Sequence, residues 1–281
     1  QMGFSTRGGP RTAMARKHRA RAAEVNRTTT RMANILPFTA WDWALIAVVA
    51  AQATTLAYLH HPRWKALLLT LPIPFTMATL AVGTPVDIAH VLGLVLLLGY
   101  NLAVYQLHGV WRWPILVAIP LAAMGYCLAA AMLAPRLPRT EAAFWMAAGG
   151  VFALGTVLYR RMPHRTEPGH RSPLPLYVKL PLTALVLTAL VLAKRQLQGF
   201  MTVFPMVGVL ASYEGRHCLW TLSRQMPVVM LTLLPLMVVV RLLQPHWGVG
   251  GALVGGWAVF LTILLPLTRH QWTRAAKTEE E

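Results

Sequence analysis

The sequence predicts an all-α, polytopic transmembrane bundle of about nine spans, one leading helix followed by two four-helix units in parallel orientation. Two observations carry this expectation, and a third excludes its main rival. Hydrophobic residues make up 56% of the 281 positions and charged residues only 12%, too little polar surface to coat a water-soluble globule. The apolar residues fall in blocks of about 15 to 22, close to the ~20 that cross a bilayer as a helix. The alternation with a period of two that marks a β-barrel is absent.

Residues 1–31 differ from all that follows. They hold eight Lys/Arg (Arg7, Arg11, Arg16, Lys17, Arg19, Arg21, Arg27, Arg31), one acid (Glu24) and no apolar block, a composition that predicts disorder. The chain opens on Gln1, and Met32 precedes the first apolar block. Met32 is therefore the expected natural start, with 1–31 upstream sequence; the alternative is a basic arm that touches anionic lipid or RNA. No cleavable signal peptide is expected, because no cleavage site follows the first block.

The leading helix is expected at 41–59, within 32–64. A first unit follows over 65–158, with spans at 66–83, 87–107, 113–133 and 142–158. A basic, Pro-rich linker occupies 159–175. The second unit, 176–268, holds spans at 176–193, 199–213, 226–243 and 248–267, and a polar tail closes the chain at 269–281. Trp41, Trp43, Trp64, Trp111, Trp113, Trp220, Trp247 and Trp272 stand at or just beyond block ends, where amphipathic rings sit at the headgroup level.

The net charge of +17 raises nucleic acid as a partner. In the body of the chain the basic residues flank apolar blocks instead, so the lipid bilayer is the expected partner and nucleic acid is not. From residue 32 onward, 13 Lys/Arg fall on the side that carries 159–175 and the C-terminal tail, against five on the other. This excess points to a cytoplasmic C-terminus. Counting 1–31 would make the two sides equal.

Lys65 and Lys179 each open a span, Tyr100 and Tyr213 each end the next, and Pro114 and Pro227 each open another. The offsets agree near 113 residues, which predicts an internal repeat.

The second unit carries Val178-Lys179-Leu180-Pro181-Leu182 at its opening, then Ala193-Lys194, Phe204-Pro205, Ala211-x-Tyr213 with Glu214 and Arg216, and Gly255 and Trp257 in its last span. In these residues it resembles the GlpM family of short bacterial inner-membrane proteins. The first unit looks like a degenerate copy, with Val91 and Leu92 where Phe204 and Pro205 stand. The resemblance implies a four-helix unit, an inner-membrane location and no established enzymatic activity.

Acids are rare past residue 31; outside linker and tail they are Asp42, Asp87, Glu141 and Glu214. All four are expected near span ends, where interfacial anchors and helix caps belong. Glu214 is the preferred functional residue because the resemblance covers it. With Tyr100, Asn101 and Tyr213 it forms the candidate polar path. Gly199, Pro205 and Gly208 mark the candidate helix irregularity in 199–213. Gln52 is read as a hydrogen-bonding residue between helices. Gly251 and Gly255 form a GxxxG that packs against another helix of this chain or against a second copy.

No catalytic residue, metal site or cofactor is expected. His90 and His108 lie near opposite ends of one span and cannot share an iron. No HExxH occurs, and the neighbours His217 and Cys218 face apart on a helix. Cys127 and Cys218 are read as small buried hydrophobes. The expected function is a transporter or permease of a small solute or ion. The alternative is a non-catalytic scaffold or accessory subunit, as a homo-oligomer or with a membrane-complex partner. A lipid-modifying enzyme fits less well, for want of clustered acids or a nucleophile.

Overall fold

The chain was described from a computed structural model, which covers residues 40–82, 85–138, 140–163, 165, 167, 175–192, 203 and 205–280. The expectations about 1–31, Met32, Ala193-Lys194, Gly199 and Phe204 lie outside the described residues. All regular structure among the described residues is helical.

Helix α1 (Ala40–Tyr58) forms over the leading apolar block. The next block departs from expectation. Instead of one helix over 66–83, the chain forms α2 (Pro62–Thr70) and α3 (Ile73–Val82). Leu71, between them, is extended at φ −60°, ψ 129°. The cause is Pro72, whose ring clashes with a helical conformation at the preceding residue and which has no N–H to give. Beyond the break, the Thr76 N–H and hydroxyl both donate to the Pro72 carbonyl, at 2.9 and 2.8 Å, and restart the helix.

Helix α4 (Ile88–Val104) begins at an Asp87 cap and ends in a π-helical turn, Tyr105–Val110. Arg112 in the following turn has φ 59°, a left-handed conformation that costs a non-glycine residue of order 1 kcal/mol. Helix α5 (Ile115–Leu133) ends in a short 3-10 turn. The Thr140 side chain caps α6 (Glu141–Arg161) by accepting from the Ala143 N–H at 3.3 Å. Helices α7 (Leu176–Leu192) and α8 (Met206–Glu214) follow.

The last element, α9 (Leu219–Glu280), consists of two helical arms joined at a kink. Gly248 has φ 66° and ψ 176°, a conformation essentially reserved for glycine. There the chain folds back. A Cβ on Gly256 would lie 2.9 Å from Val240 Cγ2 and 3.1 Å from Leu236 Cγ, and one on Gly255 would lie 2.7 Å from Leu243 Cδ1. Residues this far apart in sequence meet only if the arms 219–247 and 249–280 run antiparallel. The expected blocks 226–243 and 248–267 are therefore the arms of one hairpin. Gly255 of the GxxxG lies against the first arm of the same chain.

Among the described residues, four helices are long and apolar enough to cross a membrane: Ile88–Val110, Ile115–Arg136, Glu141–Arg161 and the bent Leu219–Thr273. The first arm of α9 is the axis of the bundle. Val228, Met230, Leu233, Leu234, Leu236, Met237 and Val240 are buried all round it, as expected of a helix enclosed by others. It packs on α2, α4 and α6. On α5 and α6, by contrast, Leu116, Met124, Leu128, Met132, Met146 and Phe152 are half or more exposed. An apolar surface of this extent would be costly in water and is matched by lipid.

Both ends of the bundle are tied. At one, Trp220 Nε1 donates to the Pro163 carbonyl at 3.1 Å, and Trp64 meets Trp272 edge to face at 5.0 Å. At the other, the Arg241 guanidinium donates to the Val86 carbonyl and to Glu141 Oε1, both at 2.6 Å, and lies 4.2 Å over the Phe144 ring. Loops expected on the same membrane face thus meet each other.

Candidate functional site

The short helix α8 ends on Glu214, an acid at the negative end of its own helix dipole, where it is disfavoured. Two lysines compensate. Lys179 Nζ lies 2.7 Å from Glu214 Oε1, with both side chains under a tenth exposed. Lys65 Nζ donates to the Glu214 backbone carbonyl at 3.3 Å and is fully buried. The two lysines occupy the same place in their helices: each is the fourth residue, in α2 (Pro62–Thr70) and α7 (Leu176–Leu192). Their N–H groups bond to His61 O and Pro175 O. Lys179 also lies 5.5 Å from the centre of the Tyr58 ring on α1. Burying such a trio carries a desolvation cost of several kcal/mol per ion. Residues that only held helices together would avoid that cost by being apolar.

A polar seam continues inward from this cluster. Ser212, two residues before Glu214, has its hydroxyl 3.4 Å from the Tyr100 hydroxyl of α4. The next residue, Asn101, donates to the Leu97 carbonyl at 2.8 Å and to Met226 Sδ at 3.3 Å. Its own carbonyl accepts from the Ser223 hydroxyl at 3.4 Å. Gln225 donates to Thr70 Oγ1 at 2.6 Å, joining α9 to the last turn of α2. All of these side chains are buried.

Beside the seam, at the break between α2 and α3, is a cavity of about 70 Å3, large enough to hold water. Thr70, Leu71, Pro72, Asn101, Pro205 and Gly208 are among the residues that line it. Gly208 keeps the wall close. A Cβ there would stand 3.0 Å from Pro205 Cβ and 3.5 Å from Tyr100 Cε1. Pro205 holds the position before α8, at φ −73° and ψ 51°.

Of the expected polar path, Tyr100, Asn101 and Glu214 are thus buried along one seam. Tyr213 is 37% exposed, with the Arg216 guanidinium 5.2 Å over its ring. Pro205 and Gly208 line the cavity, and Gly199 lies outside the described residues. The sequence marks Lys65 and Lys179 as repeat positions, and Lys179 as part of the family resemblance, but neither as a site residue. The available signal was a lysine inside an apolar block, twice, at matching positions. Gln52 donates to the Leu68 carbonyl at 2.8 Å, bridging α1 and α2.

Around the site, Glu167 of the linker accepts from the Trp220 and Thr221 N–H groups at 3.2 and 2.6 Å, capping α9. Burial pushes the Cys218 thiol up to about 11, against the opposing pull of Lys65. At the far end of α4, burial pushes the Asp87 carboxyl up. Hydrogen bonds from His90 and from the Ala89 and His90 N–H groups outweigh burial and hold it below its ordinary value. Among the described residues no three His, Cys, Asp or Glu side chains come together as metal donors.

No family model, curated protein or solved structure matches the chain.

Proposed function

We propose that this chain is a transporter or permease of a small solute or ion, working at the seam that runs from Glu214 to the cavity beside Asn101. One observation carries the reading: a buried salt bridge leads into a polar chain whose Thr70 and Asn101 line a small cavity at a broken helix, inside a bundle of apolar helices. Ionisable groups and irregular backbone at membrane depth are expensive unless they line a path.

The finer reading keeps nine crossings and the two-unit repeat. The shared helical position of Lys65 and Lys179 supports the repeat, and the exposure of Tyr213 against the burial of Tyr100 marks the units as divergent. The location is the bacterial inner membrane, with the C-terminus cytoplasmic. The second unit is a GlpM-like module without enzymatic activity.

Osmotic swelling of proteoliposomes against a panel of small solutes tests the proposal. At least one solute should enter faster than into protein-free vesicles, at a rate changed by Glu214→Gln. Equal rates for the whole panel would refute it. The exposed apolar strip of α5 favours a second reading, a scaffold. A partner co-purifying in fixed stoichiometry, with no solute flux, would establish that reading instead.

A further inference from the structure

We infer that the cargo of this path is a small uncharged molecule with a hydrogen-bond donor, the class of primary amides and short alcohols, and that it docks on Asn101 Oδ1 in the cavity between α2 and α3. The inference rests on the transport reading above and adds the chemistry of the cargo.

The cavity sets the size. Its volume of about 70 Å3 is near half the ~150 Å3 of an engineered cavity that accepts benzene, so the occupant is smaller than benzene. The wall sets the charge. Leu71, Pro74, Phe75, Leu97, Val229 and Leu233 are among the residues that line it, and none of the described lining residues is charged. An ion would leave its hydration shell for a wall that offers no counter-charge. The Lys179–Glu214 pair lies along the seam, outside that lining.

The polar side chains of the lining set the hydrogen bond. Thr70 is committed: its hydroxyl donates to the Ala66 carbonyl at 2.8 Å and accepts from Gln225 Nε2 at 2.6 Å. Asn101 is committed on one side. A carbonyl can only accept, so the 2.8 Å contact with the Leu97 carbonyl identifies the amide nitrogen. That nitrogen also donates to Met226 Sδ at 3.3 Å. Among the described residues no donor reaches Asn101 Oδ1. Asn101 is buried, and an amide oxygen enclosed without a donor is unfavourable. A molecule that brings one N–H or O–H to Oδ1 satisfies it, while its carbon skeleton lies against leucine, proline and valine. A molecule of the same shape that can only accept does not.

Acetamide, acetone and acetate separate these requirements. They share one skeleton; acetamide is neutral and donates, acetone is neutral and only accepts, and acetate is an anion. Saturation-transfer NMR on the full chain in deuterated detergent follows each methyl signal. Proteoliposomes report the flux of acetamide, glycerol, potassium and chloride. Acetamide should bind about tenfold more tightly than acetone, the worth of one hydrogen bond, and acetate should not bind. Asn101→Leu should weaken acetamide about tenfold and leave acetone unchanged. Val229→Phe, which fills the cavity, should abolish the binding of both. Acetamide should cross faster than in protein-free vesicles, and more slowly with Asn101→Leu than with the wild type.

Acetone or acetate bound as tightly as acetamide, or acetamide binding unchanged by Asn101→Leu, would overturn the assignment of the cargo. Flux of potassium or chloride without acetamide binding would overturn it too and leave transport standing. Acetamide binding that Asn101→Leu weakens, without flux of any solute, would uphold the site and refute transport. Neither binding nor flux would overturn both. Should either variant fail to fold, the order of the three ligands on the wild type still decides the matter.

Discussion

Replacing Lys179 with methionine should destabilise the bundle far more than replacing both members of its salt bridge. Lys179 and Glu214 are 2.7 Å apart, with 6% and 7% of their side chains exposed. Lys179→Met leaves a buried carboxylate without its close partner, a change that costs about 3–5 kcal/mol where the charge is enclosed. Lys65 remains beside the Glu214 backbone, so the lower bound, about 3 kcal/mol, is the better expectation. The double variant Lys179→Met/Glu214→Leu removes both charges and keeps the volume, and should recover most of that loss, since buried pairs are often replaced by apolar groups at little cost. Unfolding of all four proteins by sodium dodecyl sulfate in mixed micelles gives the cycle. The coupling should exceed about 1.5 kcal/mol, above the ~0.6 typical of hydrogen bonds between membrane helices. A single variant within about 0.5 kcal/mol of wild type, with no coupling, would refute the enclosed pair.

Other consequences are open to the same methods. Gly256→Val should cost about 1–3 kcal/mol by forcing the arms of α9 apart, whereas Gly250→Ala, with open space at its Cβ, should be near neutral. Arg241→Ala should destabilise more than Glu141→Gln, because Arg241 also holds the Val86 carbonyl and packs on Phe144; Glu141 is 72% exposed, so its loss should cost under about 1 kcal/mol. Asp87 titrates below its ordinary value of 3.8; its contribution is complete above that value and is lost as pH falls through the folded one. Asp87→Asn should accordingly lower stability at neutral pH and flatten its decline on acidification. Cys218, fully buried and with its thiol pushed up to about 11, should resist N-ethylmaleimide at neutral pH until the protein is unfolded.

The legible part of the fold was the part governed by side-chain hydropathy. Blocks 87–107, 113–133 and 142–158 became α4, α5 and α6 because each is long, apolar and bounded by caps or turns. Block 66–83 is equally apolar, yet it broke at Leu71–Pro72, since hydropathy does not register a missing backbone donor. The fold-back at Gly248 was likewise hidden, because a glycine-rich opening of a span looks the same whether the chain ends a helix or reverses within one. In the site, Glu214 was one of four rare acids outside linker and tail, and the family resemblance singled it out. Lys65 did not, because its meeting with Glu214 spans 149 residues and no local pattern encodes a contact that tertiary packing creates.

Alkaline carbonate extraction of membranes from cells producing the full chain tests the central claim most directly. A bundle whose exposed faces are Leu, Met and Phe, and whose backbone amides bond within helices, belongs in hydrocarbon. The chain should remain in the membrane pellet and be released only by detergent. Its appearance in the carbonate supernatant as a folded, detergent-free monomer would contradict the account.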